Sequence, residues 1–170
     1  MERLCLGLLC LLVVALAGCG YQLSGQAETI PGHLQRISVP MFSNATTIPG
    51  LEHLVTAAVR TQLQRDGRVR LGTDANTVTQ LRGEIRRYDV LLLATTRDDF
   101  ALEYRVEVEV RVLVEDLRQR LTVLDQTLAI NTEYVVSPQI VATEIARERA
   151  HQAVARETGE RVVSLLLDRF

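Results

Sequence analysis

The sequence predicts an α+β domain built as a two-layer sandwich, with elements in the order β-α-β-β-β-α. Two helices are expected to cover one face of a four-stranded, mainly antiparallel sheet. Three observations predict this fold: apolar and charged residues alternate strictly over 104–114, apolar residues recur at helical spacing from residue 51 to 63, and the later strand-like segments follow each other closely. Short intervals between strands favour antiparallel pairing, because a parallel connection needs a longer crossover.

Residues 1–18 are predicted to be a cleaved signal peptide. Arg3 precedes an apolar run that is too short for a permanent membrane span, and the run ends in Leu16-Ala17-Gly18-Cys19. This ending resembles the bacterial lipoprotein signal, in which the cysteine receives an S-diacylglycerol and its new amine a further acyl chain. Each buried CH₂ contributes roughly 0.8 kcal/mol, so two or three chains make Cys19 a lasting anchor. The alternative is a secreted protein that is cleaved near Ala17 and keeps a free thiol.

Composition predicts one domain after the anchor. Residues 19–34 contain glycine and proline among polar residues and are expected to form a lipidated tether, which leaves residues 35–170 as a single α+β domain. The chain has 19 basic residues, all of them arginine, interspersed with 21 acidic ones. This balance argues against a nucleic-acid binder. Cys5 and Cys10 leave with the signal peptide and acylation consumes Cys19, so no disulfide is expected.

The first part of the domain predicts one strand, a turn and one helix. Apolar and polar residues alternate over 36–41, and Pro40 within this segment favours a position at a sheet edge or strand end. Residues 44–50 have the composition of a turn. The helix is expected to begin at Leu51, to carry one apolar stripe over about four turns, and to be ended by Gly67.

Three further strands are predicted, over residues 78–93, 104–114 and 121–134. On the middle one, every second residue from Tyr104 to Val114 is apolar. That face is expected to pack on the core while the other meets a polar medium. The polar face carries Arg105, Glu107, Glu109 and Arg111.

The last helix is predicted to have Ser137 as its cap and Pro138 as its first residue, and to run to about Leu167. Gly159 is a candidate for a bend. A stripe of small residues at helical spacing should let this helix approach the sheet closely; it consists of Ala142, Ala146, Ala150, Ala153 and Val154. Both helices are expected to cover the valine face.

The sequence contains no recognisable catalytic or metal-binding constellation. His33, His53 and His151 are isolated and lack partners at metal-ligand spacing, and there is no glycine-rich phosphate loop or nucleophile elbow. The alternating charges of the valine strand are typical of a solvated ladder of cross-strand pairs. We therefore expect no enzyme, no metal and no cofactor beyond the lipid on Cys19. A binding or assembly role at a membrane is the remaining class.

Six short motifs occur in a characteristic order along the chain. They are Cys19-Gly20-Tyr21-Gln22-Leu23, Asn44-Ala45-Thr46, Pro49-Gly50-Leu51-Glu52, Arg65-Asp66-Gly67, Leu81-Arg82-Gly83 and Glu103-Tyr104. Together they resemble the lipopolysaccharide-assembly lipoproteins known as LptE or RlpB. The resemblance implies a plug in the lumen of an LptD-like outer-membrane β-barrel translocon, which aids barrel assembly and the insertion of lipopolysaccharide into the outer leaflet. Gly20 resembles the residue after the acylated cysteine in lipoproteins of the outer membrane, which implies anchoring there on the periplasmic side.

The resemblance also implies where lipopolysaccharide binds. The family has a basic residue in the loop before its Glu-Tyr strand, and Arg97 stands in the matching context seven residues before Tyr104. Its guanidinium can hold a phosphate with two bonds. Arg86 and Arg87 are further candidates. A second basic position of the family, after its Pro-Gln pair, has no counterpart behind Pro138-Gln139.

The polar strand face is the candidate contact with the barrel. Barrel lumens are polar, so the face formed by Arg105, Glu107, Glu109 and Arg111 would meet a matching surface there. Two alternatives stay open. The face is solvated and contacts nothing, or the protein is an auxiliary lipoprotein of another lipid-transport complex in the periplasm.

Overall fold

The computed structural model describes residues 35–73, 76–95 and 101–168 of the chain. Within them it contains six strands and two helices: β1 (Arg36–Ser38), β2 (Ser43–Asn44), α1 (Leu51–Asp66), β3 (Arg70–Leu71), β4 (Thr79–Thr95), β5 (Ala101–Asp116), β6 (Leu121–Val135) and α2 (Ile140–Leu167). The predicted signal peptide, Cys19, the tether to residue 34, His33 and Arg97 lie outside the described residues and stay predictions.

The α+β class and the two helices are confirmed, but the predicted four-stranded sheet is wrong. The sheet is mixed and runs in the order β3-β1-β4-β5-β6, with β2 also paired to β4. Only β4, β5 and β6 form the expected antiparallel meander. The three added pairings, of β1 with β3, β1 with β4 and β2 with β4, are parallel.

Only residues 36–38 of the predicted first strand form β1, and a second short strand, β2, follows beyond the predicted end. β1 pairs with the start of β4, where Ile37 lies opposite Thr79, and β2 pairs further along β4, where Ser43 lies opposite Glu84. Pro40 lies in the gap between β1 and β2, as expected for a residue that has no N–H to donate to a ladder. β3 is a separate element of two residues before β4.

The core lies between the valine face of β5 and the two helices, as predicted. The five valines from Val106 to Val114 are at most 1% exposed, and they pack with apolar residues of both helices. Gly159 is the point where α2 approaches α1, because a Cβ built there would lie 2.9 Å from the carbonyl oxygen of Ala58. Its role in the core is thus to allow close packing of two helices.

The ends of α1 agree with the prediction and the start of α2 does not. Gly67 follows α1 with a φ of 75°, and its N–H donates to the carbonyl of Leu63 over 3.1 Å. α2 begins at Ile140, two residues later than predicted from Pro138. The reason is Thr143, whose hydroxyl accepts from Ser137 N–H and donates to Ser137 C=O, both over 3.0 Å, and so holds residue 137 outside the helix.

Candidate interaction surfaces

Asn44, in the first family-like motif of the domain, organises the loop before α1. Its side-chain amide donates to the carbonyl of Ile48 over 2.8 Å and to the carboxylate of Glu52 over 2.7 Å. Its oxygen accepts from the N–H and the hydroxyl of Thr46. The α1 end of this loop is closed by Gly50 with a φ of 83°, a conformation that favours glycine. Within the described residues, these two motifs therefore shape the fold.

Gly83 has a comparable structural role in the middle of β4. A Cβ built at Gly83 would lie 2.0 Å from the ring of Phe42, which is 2% exposed. The missing side chain therefore makes room for Phe42 against the sheet. Through Gly83, the motif Leu81-Arg82-Gly83 allows the segment that follows β1 to pack against β4.

The outer face of the sheet is a network of ion pairs. Arg105 reaches Glu133 over 2.7 Å and Arg111 reaches Asp125 over 2.6 Å, each from β5 to the neighbouring β6. The hydrogen bond from Arg111 holds the pKa of Asp125 below its ordinary value. No helix in the described part of the chain covers this face, and its charged side chains are half-buried to exposed and available to a polar partner.

Arg86 and Arg87 belong to this same charged face. A β-bulge between Ile85 and Arg87 places both arginines near the middle of β4. Arg86 pairs with Glu84 over 3.0 Å, while Arg87 pairs with Asp89 over 2.9 Å and with Glu109 over 3.3 Å. Phosphate binding at either arginine would have to compete with these carboxylates.

A second surface, which we call the apolar end, was missed by the sequence analysis. Nine of the twelve large hydrophobic side chains that are exposed in the described residues lie where β4 ends, β5 begins, β6 ends and α2 begins. They are Val90, Leu91, Leu92, Leu93, Leu102, Val135, Ile140, Val141 and Ile145. A hydrogen bond from Val136 N–H to Leu102 C=O keeps the end of β6 beside the start of β5. The sequence shows that segment 90–94 is continuously apolar, but it does not show that these side chains are exposed.

The apolar end can be placed along the chain relative to Arg97 and to the start of the described residues. Arg97 belongs to the segment that joins β4 to β5 at this end. The described chain begins at the opposite end, because β1 runs parallel to β4 and pairs with its first residues. Leu92 follows Thr79 by thirteen positions along β4, which at about 3.3 Å per residue is roughly 40 Å.

The histidines in the described residues have structural partners. His151 Nε2 of α2 lies 2.9 Å from the hydroxyl of Tyr88 on β4, and burial raises the pKa of this tyrosine to about 12. His53 is exposed and lies 3.7 Å from a carboxylate oxygen of Glu52. No group of three or more potential metal ligands occurs in the described part of the chain. No described helix combines the length and apolarity of a membrane span.

Comparisons with known proteins agree with this architecture. The family model of LptE, described as lipopolysaccharide-assembly, matches residues 34–167. No curated protein matches the chain.

Two solved lipoproteins are similar in structure. The rare lipoprotein B from Shewanella oneidensis has 18% identity and a TM-score of 0.57, with 78% of this chain and 94% of that chain covered. A minor lipoprotein from Acinetobacter baumannii has 19% identity and a TM-score of 0.53, with 79% and 92% covered. At such identities the likeness shows the fold alone.

Proposed function

The chain belongs to the LptE lipopolysaccharide-assembly family, and from this we propose that it is the small plug subunit of an LptD-like β-barrel translocon. In this role it is anchored through acylated Cys19 to the periplasmic side of the outer membrane. It sits in the barrel lumen, aids barrel assembly, and contacts lipopolysaccharide on its way to the outer leaflet. No catalytic step is part of this role.

The open charged face of the sheet is the observation that carries the plug proposal. One face of β5 is fully covered by the helices, whereas the other presents Arg105, Glu107, Glu109 and Arg111. Barrel lumens are polar. A face of exposed ion pairs can exchange water for lumen side chains at little cost, because exposed pairs contribute at most about 1 kcal/mol each.

The apolar end supports contact with a lipid that has both acyl chains and phosphates. A cluster of exposed large apolar side chains at one end of a domain is typical of an interaction site. Arg97 lies in the segment joining β4 to β5, between Leu93 and Leu102 in the chain, and it supplies the phosphate-binding cation. The described chain begins at the other end of β4, so the start of the described domain lies opposite the apolar end.

Two substitutions test lipopolysaccharide contact. We expect Arg97→Asp, which reverses the cation, and Leu92→Ser, which removes exposed apolar surface, to weaken lipopolysaccharide binding by full-length protein in detergent, measured by titration. Leu121→Ser is the matched control, because Leu121 is 55% exposed and Leu92 52%, at opposite ends of the sheet. Binding that is equally strong in all three variants would remove the apolar end and Arg97 from the proposed site.

A further inference from the structure

Among the described strands, β6 is a long strand at the edge of the sheet. It forms one end of the strand order and runs over 15 residues without a proline, a glycine or a lysine. Natural proteins protect such edges with proline, lysine, bulges or short strands, because an open edge can pair with another strand. The only irregularity in its pairing with β5 lies at its start, near Val114 and Glu115.

In the last part of β6, the backbone groups of every second residue point away from β5. Val136 N–H donates to Leu102 C=O of β5, so the even-numbered residues of this segment bond to β5 and the odd-numbered ones face outward. Within the described residues, the N–H and C=O groups of Asn131, Glu133 and Val135 therefore face outward without a partner. Earlier in β6, the edge is covered at Ala129, whose carbonyl accepts a hydrogen bond from Arg161 of α2 over 3.1 Å.

A groove of about 380 Å³ runs between this part of β6 and α2. On the helix side it is lined by small side chains, Ala146, Ala150 and Ala153, and by Arg149 and Arg156. Both arginines are exposed, and neither forms an ion pair within the described residues. Glu133 cannot serve them, because Arg105 draws its carboxylate to the outer face of the sheet.

We propose that the edge from Asn131 to Val135 accepts an extended acidic segment of a partner protein as an added strand. The segment is extended because it must pair with the outward backbone groups of β6. It is acidic on the side facing α2, because Arg149 and Arg156 lack partners there. Arg149 and Arg156 are seven positions apart on α2, which is roughly 10 Å along the helix. Their long side chains can therefore reach acidic residues that are two or four positions apart in the added strand.

A second copy of this chain fits the groove poorly. An added β6 would present its even-numbered residues from 124 to 134 toward α2, and none of these six is acidic. A phosphate-bearing lipid would satisfy the two arginines but would leave the strand edge unpaired. An acidic strand satisfies both features at once.

Two labelled nine-residue peptides serve as probes, one alternating glutamate with valine and one alternating lysine with valine. Their binding to the full-length protein in detergent micelles is measured by fluorescence anisotropy. Asn131→Pro removes one outward N–H at a position where an edge strand tolerates proline, and Thr127→Pro is the matched control outside the groove. Arg149→Glu with Arg156→Glu reverses the helix charges, and Arg65→Glu with Arg118→Glu is the control at two exposed arginines elsewhere.

We expect the glutamate peptide to bind, and to bind about tenfold more weakly to Asn131→Pro and to the Arg149/Arg156 double variant than to the two controls. The lysine peptide should prefer the double variant. Absence of binding at millimolar peptide, equal binding by all variants, or self-association through this edge would each overturn the proposal. So would a double variant that loses binding of lipopolysaccharide micelles while keeping the peptide. None of these measurements involves a barrel, so their outcome is separate from that of the plug proposal.

Discussion

Phe42 is buried only because Gly83 opposite it has no side chain. Alanine at position 83 would place a methyl group inside the contact distance of the ring, which overpacks the site. We expect Gly83→Ala to lower the free energy of unfolding by about 1–3 kcal/mol, measured by denaturant titration. In combination with Phe42→Leu the loss should be smaller than the sum of the two single losses, because the variants share one contact. Full additivity would show that the two residues do not compete for this space.

Asn44→Ala tests the loop before α1. The lost hydrogen bonds to the backbone of Ile48 and Thr46 should cost about 1–3 kcal/mol at neutral pH. The pKa of Glu52 is held below its ordinary 4.5, first by its own backbone N–H and then by the Asn44 amide. This contribution is present above pH 4.5 and is lost as the pH falls through the lowered pKa.

The destabilisation by Asn44→Ala should therefore be smaller at pH 3 than at pH 7, as measured by unfolding at both values. A loss that is the same at both would mean that Asn44 does not stabilise the Glu52 carboxylate.

The end of α1 at Gly67 could be predicted, because glycine after an apolar stripe is a local signal. The role of Asn44 could not, since its partners become neighbours only when the loop is folded.

At the scale of elements, the long strands were predictable and two of the short ones were not. β5 alternates over its whole length, and that period fixes both its type and its buried face. β2 and β3 have two residues each, too few to show a period. Alternation predicted β1, but its parallel pairing with β3 and β4 depends on contacts distant in the chain. The start of α2 was predicted two residues too early, because the Thr143 hydroxyl bonds to the backbone of Ser137 and holds it outside the helix.

The charged face of β5 makes a prediction at this same scale. Glu107→Arg with Glu109→Arg should lower the melting temperature only modestly, because the exposed Arg87–Glu109 pair contributes at most about 1 kcal/mol and the like-charge pair that replaces it is equally exposed. Co-purification with the barrel should fall strongly, since two charges on the contact face are reversed. Glu160→Arg on the exposed side of α2 serves as the control. A double variant that co-purifies as well as this control would leave the charged face as a solvated surface.

The whole molecule has two different ends and two different long faces. The described chain begins at one end of β4, and the apolar end lies roughly 40 Å away along that strand. The valine face is closed by α1 and α2, whereas the charged face is open. The sequence indicated both faces through the alternation in β5. It did not indicate the apolar end, because exposed and buried leucines look alike until the elements around them are placed.

The most informative measurement on the whole molecule is a pull-down of the tagged full-length protein from outer membranes in mild detergent, with mass identification of its partners and of the Cys19 peptide. The plug proposal predicts a stoichiometric large β-barrel protein together with a Cys19 that carries acyl chains. An acylated protein that co-purifies instead with an inner-membrane lipid transporter, or with no barrel, would contradict it.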